Sequence, residues 1–343
     1  MKNDTKAKNS HMYNSDNEKI KYKYRIHKIR SKRKDFETVK AELLLVRNFE
    51  IFIGFKNFSV FNDEIADQYI NWLFKQGYSL PYINETLRAL RDFLNWLERQ
   101  RGYRTKIDYN HIEYIYLTNN QRKMAKAVDY KLSYKFDEII RTIRLMPKKT
   151  LIEKRNAGII SLQALCGFRI SELRTVRIKS LIFEDDVWFV DVNPKYMKVK
   201  NSKQRNAYFM KLPDDIVENI LSWRAYLISI GFKPTDYLFP IIPAKFNQHN
   251  ILESKVEDLP IKSNTTLRDI FKKAFKSAGY EYYNPHSFRK THARYAKKVS
   301  PLFYDAVSKS LGHSSTDVTD KSYGDISVDE QQERYRDLEA GFK

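Results

Sequence analysis

The sequence predicts a mostly helical chain of two domains with one small β-sheet. Apolar residues recur at helical spacing from Leu43 onward and again from Phe136. Only residues 181–212 read as strands. The 343 residues, 42% hydrophobic and 14% aromatic, suffice for about two cores.

Residues 1–34 hold twelve Lys and Arg against three acids and little apolar content. They are expected to form a basic, flexible N-terminal arm, either touching nucleic acid or simply solvated. Residues 35–123 form a small helical domain. Leu43, Leu44, Val46, Phe49, Phe52 and Ile53 mark its first helix. Asp63 is suited to cap a second helix, which carries Ile65, Tyr69, Ile70, Leu73 and Phe74 and ends near Gly77. A third runs over about residues 82–99 with Ile83, Leu87, Leu90, Phe93, Leu94 and Leu97 inward, leaving Arg88, Arg91 and Arg99 outside. Trp72 and Trp96 fall within the apolar period and read as core. Residues 99–120 lack periodicity and serve as a strap or linker.

The second domain spans 124–343. Phe136, Ile139, Ile140 and Ile143 mark a helix stopped near Pro147, and 150–165 form another. Gly167 breaks that helix, so Arg169 falls at a helix junction, with Ser171 and Glu172 in the next first turn. The strand-like runs are 181–183, 187–192 and 207–212. Between the last two lie Lys195, Lys198, Lys200, Lys203 and Arg205, a basic hairpin turn suited to a groove or to protecting a sheet edge. Residues 214–230 are helical, 237–264 loop-rich and 266–278 a basic helix. A charged helix at Val328–Leu338 follows Tyr323.

There are 62 Lys+Arg and 42 Asp+Glu, a formal net charge of +20, which points to a polyanionic partner. The single cysteine, Cys166, excludes a disulfide framework and a cysteine zinc site, and sits in an apolar run as a core residue. Neither signal peptide nor membrane span is evident, and a cytoplasmic location is expected.

Three short motifs carry chemistry: Gly-Phe-Arg-Ile-Ser-Glu-Leu at 167–173, His-Ser-Phe-Arg at 286–289, and Leu-Gly-His at 311–313 followed ten residues later by Tyr323. Arginine offers phosphate a planar fork of donors, histidine donates or shuttles a proton, and tyrosine can act as a covalent nucleophile. In this order, with the basic hairpin between the first and second, they resemble the tyrosine recombinase (phage integrase) family, and within it the Xer-like and mobile-element integrases. The resemblance covers nearly the whole chain. It implies a helical core-binding (SAM-like) domain followed by an α+β catalytic domain.

The same resemblance implies roles. Tyr323 is the nucleophile, Arg169 and Arg289 are the paired arginines, and His286 and His313 are the site histidines. Lys200 matches the lysine of the family's Lys-Gly-x-Lys-x-Arg turn. Asn201 replaces the glycine, which leaves Lys198 and Lys203 as rivals. Lys290 stands where many relatives have histidine, and His292 reads as a helix-face or core residue. Glu172 orients Arg169 or caps its helix. Arg88, Arg91, Lys198, Lys203 and Arg205 are candidate DNA contacts.

The reaction implied is site-specific recombination through a 3′-phosphotyrosyl link, with no cofactor or metal. The partners implied are double-stranded DNA with an inverted-repeat core site and three further copies in a tetramer on two sites. The C-terminal tail would pack on a neighbour. A type IB topoisomerase or a non-catalytic DNA-binding regulator of the same fold are the alternatives.

Overall fold

A computed structural model of the chain describes residues 13–126, 132–246 and 252–313. The chain divides into two compact units, Met1–Val128 and Asp129–Lys343. No helix among the described residues is long and apolar enough to cross a membrane.

The first unit packs α1 (Ser15–Arg30), α2 (Phe36–Phe52), α3 (Asp63–Lys75) and α4 (Leu80–Leu97), with a short α5 (Asn119–Lys126) at its end. The six apolar side chains that the helical period selects in α4 are all fully buried. Trp72 and Trp96 pack against the same core. Asn62, one residue before the expected cap, caps α3 by accepting from the Ile65 amide at 2.8 Å. Between α4 and α5 the chain holds only a 3-10 helix at Tyr109–Tyr114, yet Ile107, Ile112, Ile115 and Leu117 of this stretch are buried.

The expectation of a flexible arm at 1–34 is overturned from Ser15 on. Asn14 caps α1 by accepting from the amides of Asp16 and Asn17. Ile20 and Tyr24 enter the core, and Tyr24 meets the edges of Phe93 and Trp96 at 5.2 and 5.1 Å. The buried lysines are paired. Lys21 lies 2.6 Å from both Glu18 and Glu50, and Lys28 lies 3.7 Å from Glu42 and 3.8 Å from Asp92. Pairing across helices offsets the cost of burying charge, and a composition count is blind to it.

In the second unit α6 (Phe136–Leu145) precedes α7 (Leu151–Cys166), which is buried on nearly every side. A capping box starts α7: Thr150 accepts from the Glu153 amide at 3.3 Å, and Glu153 from the Thr150 amide at 2.9 Å. Gly167, at φ +58°, ends it, and the short α8 (Ile170–Thr175) follows. Strands β1 (Leu181–Glu184), β2 (Val187–Val192) and β3 (Arg205–Tyr208) form one antiparallel sheet in that order, with Val192 opposite Arg205. Next comes α9 (Asp214–Ser229), whose Trp223 donates to the Leu238 carbonyl at 2.7 Å.

The stretch expected to be loop-rich contains two small antiparallel pairs. β4 (Pro240–Ile241) pairs with β7 (Glu257–Pro260), and β5 (Ala244–Phe246) with β6 (Leu252–Ser254). Strands of two to four residues, with proline at two ends, leave no alternation to read. Then α10 (Asn264–Ser277), α11 (Ser287–Val299) and α12 (Pro301–Ser310) complete the described chain. Ser300 breaks the segment after His286 into α11 and α12, capping α12 by accepting from the Phe303 amide at 3.1 Å.

Candidate active site

The left-handed turn at Gly167 delivers Arg169 to the start of α8. A Cβ at Gly167 would stand 2.9 Å from Leu311 Cδ2, in a backbone conformation that side chains rarely adopt, so both space and φ require glycine. Arg169 is half-buried. Its amide donates to Glu172 Oε2 at 2.9 Å and its Nη1 to Glu172 Oε1 at 3.2 Å. Glu172 therefore both caps the helix and orients the arginine, and it is fully buried. Burial pushes its carboxyl up, but bonds from Arg205 and Arg169 more than reverse this and hold it below the usual range.

Arg289, in the first turn of α11, is fully buried. Its Nη1 donates to the Gly167 carbonyl at 2.8 Å, and Nη2 donates to the Leu311 carbonyl at 2.7 Å. Nη2 also lies 2.9 Å from His313 Nε2. Guanidinium nitrogens only donate, so His313 Nε2 is the acceptor and Nδ1 carries the proton. The His313 pKa is driven down to about 3 by burial first, then by the charges of Arg289, Arg169, His286 and Arg205. Three guanidinium groups, those of Arg289, Arg169 and Arg205, thus act on one imidazole.

His286 is exposed at the N-cap position of α11, its amide donating to Asn284 Oδ1 at 3.1 Å. His292 lies in the core, its ring 2.7 Å from the Ala164 carbonyl, with its pKa lowered to about 4 mainly by burial. Tyr323 lies outside the described residues.

The hairpin turn after β2 comes to the same place. Lys203 is exposed, and its Nζ donates to the His313 carbonyl at 2.9 Å. Lys200 is exposed at the entry to the turn, just before Asn201 and Ser202, which both take positive φ (58° and 49°). Asparagine thus does the work of the glycine it replaces. Lys198 is exposed, and its amide donates to Thr175 Oγ1 at 2.8 Å, tying the turn to α8.

The other candidate DNA contacts are variously engaged. Arg88 pairs with Glu85 and lies 3.6 Å from Asp92, and Arg91 donates to the Ile115 carbonyl while resting 3.9 Å from the Tyr116 ring centre. Arg205 is turned inward, which corrects its reading as a DNA contact. It makes two bonds to Glu172 and one to the Ser310 carbonyl. The signal was present in β3: Arg205 and Ala207 alternate with exposed Asn206 and Tyr208, so the arginine shares the buried face. Among the described residues no three His, Cys, Asp or Glu side chains gather as metal ligands would.

A helical unit followed by an α+β unit with this cationic cluster defines an enzyme of the tyrosine recombinase class, which breaks and rejoins DNA strands. The chain belongs to the phage integrase family, whose profile matches residues 135–330, more than half of it. It is 24% identical over 256 residues to a tyrosine recombinase of Pseudothermotoga lettingae, covering 74% of each chain.

Its fold resembles that of XerH site-specific recombinase in a post-cleavage complex with a palindromic substrate. The TM-score is 0.63 at 16% identity, over 95% of this chain and 84% of that one. It also resembles a lambda integrase tetramer bound to a Holliday junction, with a TM-score of 0.58 at 17% identity, over 88% and 80% of the two chains.

Proposed function

We propose that this recombinase cuts DNA by attack of the Tyr323 hydroxyl on a backbone phosphorus, expelling a 5′ oxygen and leaving a 3′-phosphotyrosyl link. The observation that carries the reading is Arg289. One buried guanidinium reaches the backbone of the Gly167 turn, the backbone of the 311–313 turn and the His313 ring. All three motifs are thereby held at one point.

The residue types fit the chemistry. Charge accumulates on the non-bridging oxygens in the transition state, and Arg169, Arg289 and His313 are the donors that would meet it in a prearranged pocket. A phenol with a pKa near about 10 needs help to lose its proton, and His286 is assigned that role. A hairpin lysine, Lys200, protonates the departing oxygen. The phosphotyrosyl bond conserves the energy of the broken one, so a second strand's 5′ hydroxyl can reverse the step.

The DNA partner is a duplex site of two inverted half-sites, and the working assembly is a tetramer on two sites in which each C-terminal tail packs on a neighbour. Both are in keeping with the palindromic substrate of XerH and the tetramer of lambda integrase.

The test uses a nicked duplex carrying whatever sequence the wild-type protein selects from a random pool. A denaturation-resistant protein–DNA adduct is expected with wild type and none with Tyr323→Phe. An adduct with Tyr323→Phe, or none with wild type, overturns the reading.

A further inference from the structure

We infer that Arg205 is a positioning residue for strand cleavage, a strut that fixes the hairpin lysines, Arg169 and His313 relative to one another. The inference rests on the cleavage reading given above. The Arg205 side chain is only 5% exposed, and each of its three nitrogens is bonded within the protein. Its Nη1 and Nη2 donate to the two oxygens of Glu172 at 3.2 and 2.8 Å, and its Nε donates to the Ser310 carbonyl at 2.8 Å. Glu172 spends its remaining capacity on the Arg169 amide and guanidinium. The turn that follows Ser310 is pressed onto the same group: a Cβ on Gly312 would fall 2.9 Å from Arg205 Cδ and 3.0 Å from Nε. A second bond, from the Tyr208 amide to Ser310 Oγ at 2.9 Å, stitches β3 to the end of α12.

Three catalytic elements thus share one buried ion pair. Arg169 hangs from Glu172, His313 follows Ser310 by three residues, and Lys203 precedes Arg205 by two. Lys203 returns to the His313 carbonyl and closes the circuit. Only arginine fits, because a planar fork binds both carboxylate oxygens while Nε remains for the carbonyl. Lysine could satisfy one of these directions at a time.

The experiment compares full-length wild type, Arg205→Lys, Arg205→Met, Glu172→Gln and the Glu172→Gln/Arg205→Met double variant on the nicked selected duplex. Duplex affinity and its salt dependence should match wild type. The single-turnover rate of adduct formation at saturating DNA should fall about 10²-fold in both Arg205 variants, the scale of a roughly 1 Å misplacement of catalytic groups. The final amount of adduct should stay complete, which a partly unfolded population would not give. The double variant should be no slower than the slower single, since both remove the same strut.

An unchanged rate at saturating DNA overturns the proposal. So does a loss of affinity with a shallower salt slope, which would make Arg205 a phosphate contact. If Arg205→Met does not fold, Arg205→Lys carries the same readouts, because it keeps the buried charge. Failure of the cleavage reading is distinguishable: wild type would then form no adduct, or Tyr323→Phe would form one.

Discussion

At the scale of single residues the site separates lysines and histidines that look alike in sequence. Lys203 is engaged in holding the His313 carbonyl, whereas Lys200 stands at the turn entry. Lys200→Ala should therefore lose cleavage of an ordinary nicked duplex and regain it when the leaving 5′ oxygen is replaced by sulfur, which departs without a proton. Lys203→Ala should be slow on both substrates, and rescue of Lys203→Ala instead would transfer the acid role to it.

His292 and His313 have pKa values lowered from 6.5 to about 4 and about 3. Both are neutral in the fold, while the unfolded chain takes up protons below 6.5. Their contribution to stability is complete above 6.5 and drains away as the pH falls toward 4. Melting temperatures measured across this range should fall with acid, and His292→Gln, whose amide can still donate to the Ala164 carbonyl, should fall less. An identical acid slope in the variant would remove His292 from this account.

At the scale of elements, α1 is the clearest departure from the sequence reading, and it makes a prediction. Tyr24 is buried against Phe93 and Trp96. Tyr24→Ala should destabilise the protein by about 3–5 kcal/mol, as for other large aromatic side chains in a core. Replacing an exposed lysine such as Lys19 should change little. Equal, small losses in urea denaturation for both would mean that α1 is dispensable packing.

The contrast with α4 shows what was legible. Six apolar residues at one period mark α4 unmistakably, so its inward face is readable residue by residue. The inward face of α1 is Asn17, Ile20, Lys21, Tyr24 and Lys28, and its polar members are satisfied by Glu50, Glu42 and Asp92 from other helices. No single-segment pattern contains those partners. The site divides similarly. Each arginine and histidine motif is a run of three to seven residues that stands out by itself, although the bonds that join the motifs span up to 122 residues. Arg205 was misread because the strand was read as starting at 207, which left the arginine in the turn and not on the buried face of β3.

At the scale of the whole molecule, chemistry and assembly rest on different parts of the chain. In the proposed mechanism Arg169, Arg289, His286, His313 and a hairpin lysine serve one cut, and the described chain brings Arg289, His313 and Lys203 into direct contact. The proposed assembly on two sites requires more, because a strand cut on one site would be passed to another by protomers that hold each other. The proposed holder is Val328–Leu338, which follows Tyr323 in sequence and lies outside the described residues.

A chain ending at Ser327 keeps every proposed catalytic residue and loses that segment with the five residues after it. It should still form the covalent adduct on a single nicked duplex. It should fail to assemble complexes containing two duplexes on native gels, and therefore yield no recombinant product. Two-duplex complexes at the wild-type level would refute the tail's role and move the contact between copies elsewhere. Loss of the adduct as well would show that the tail places Tyr323 and does not merely join protomers.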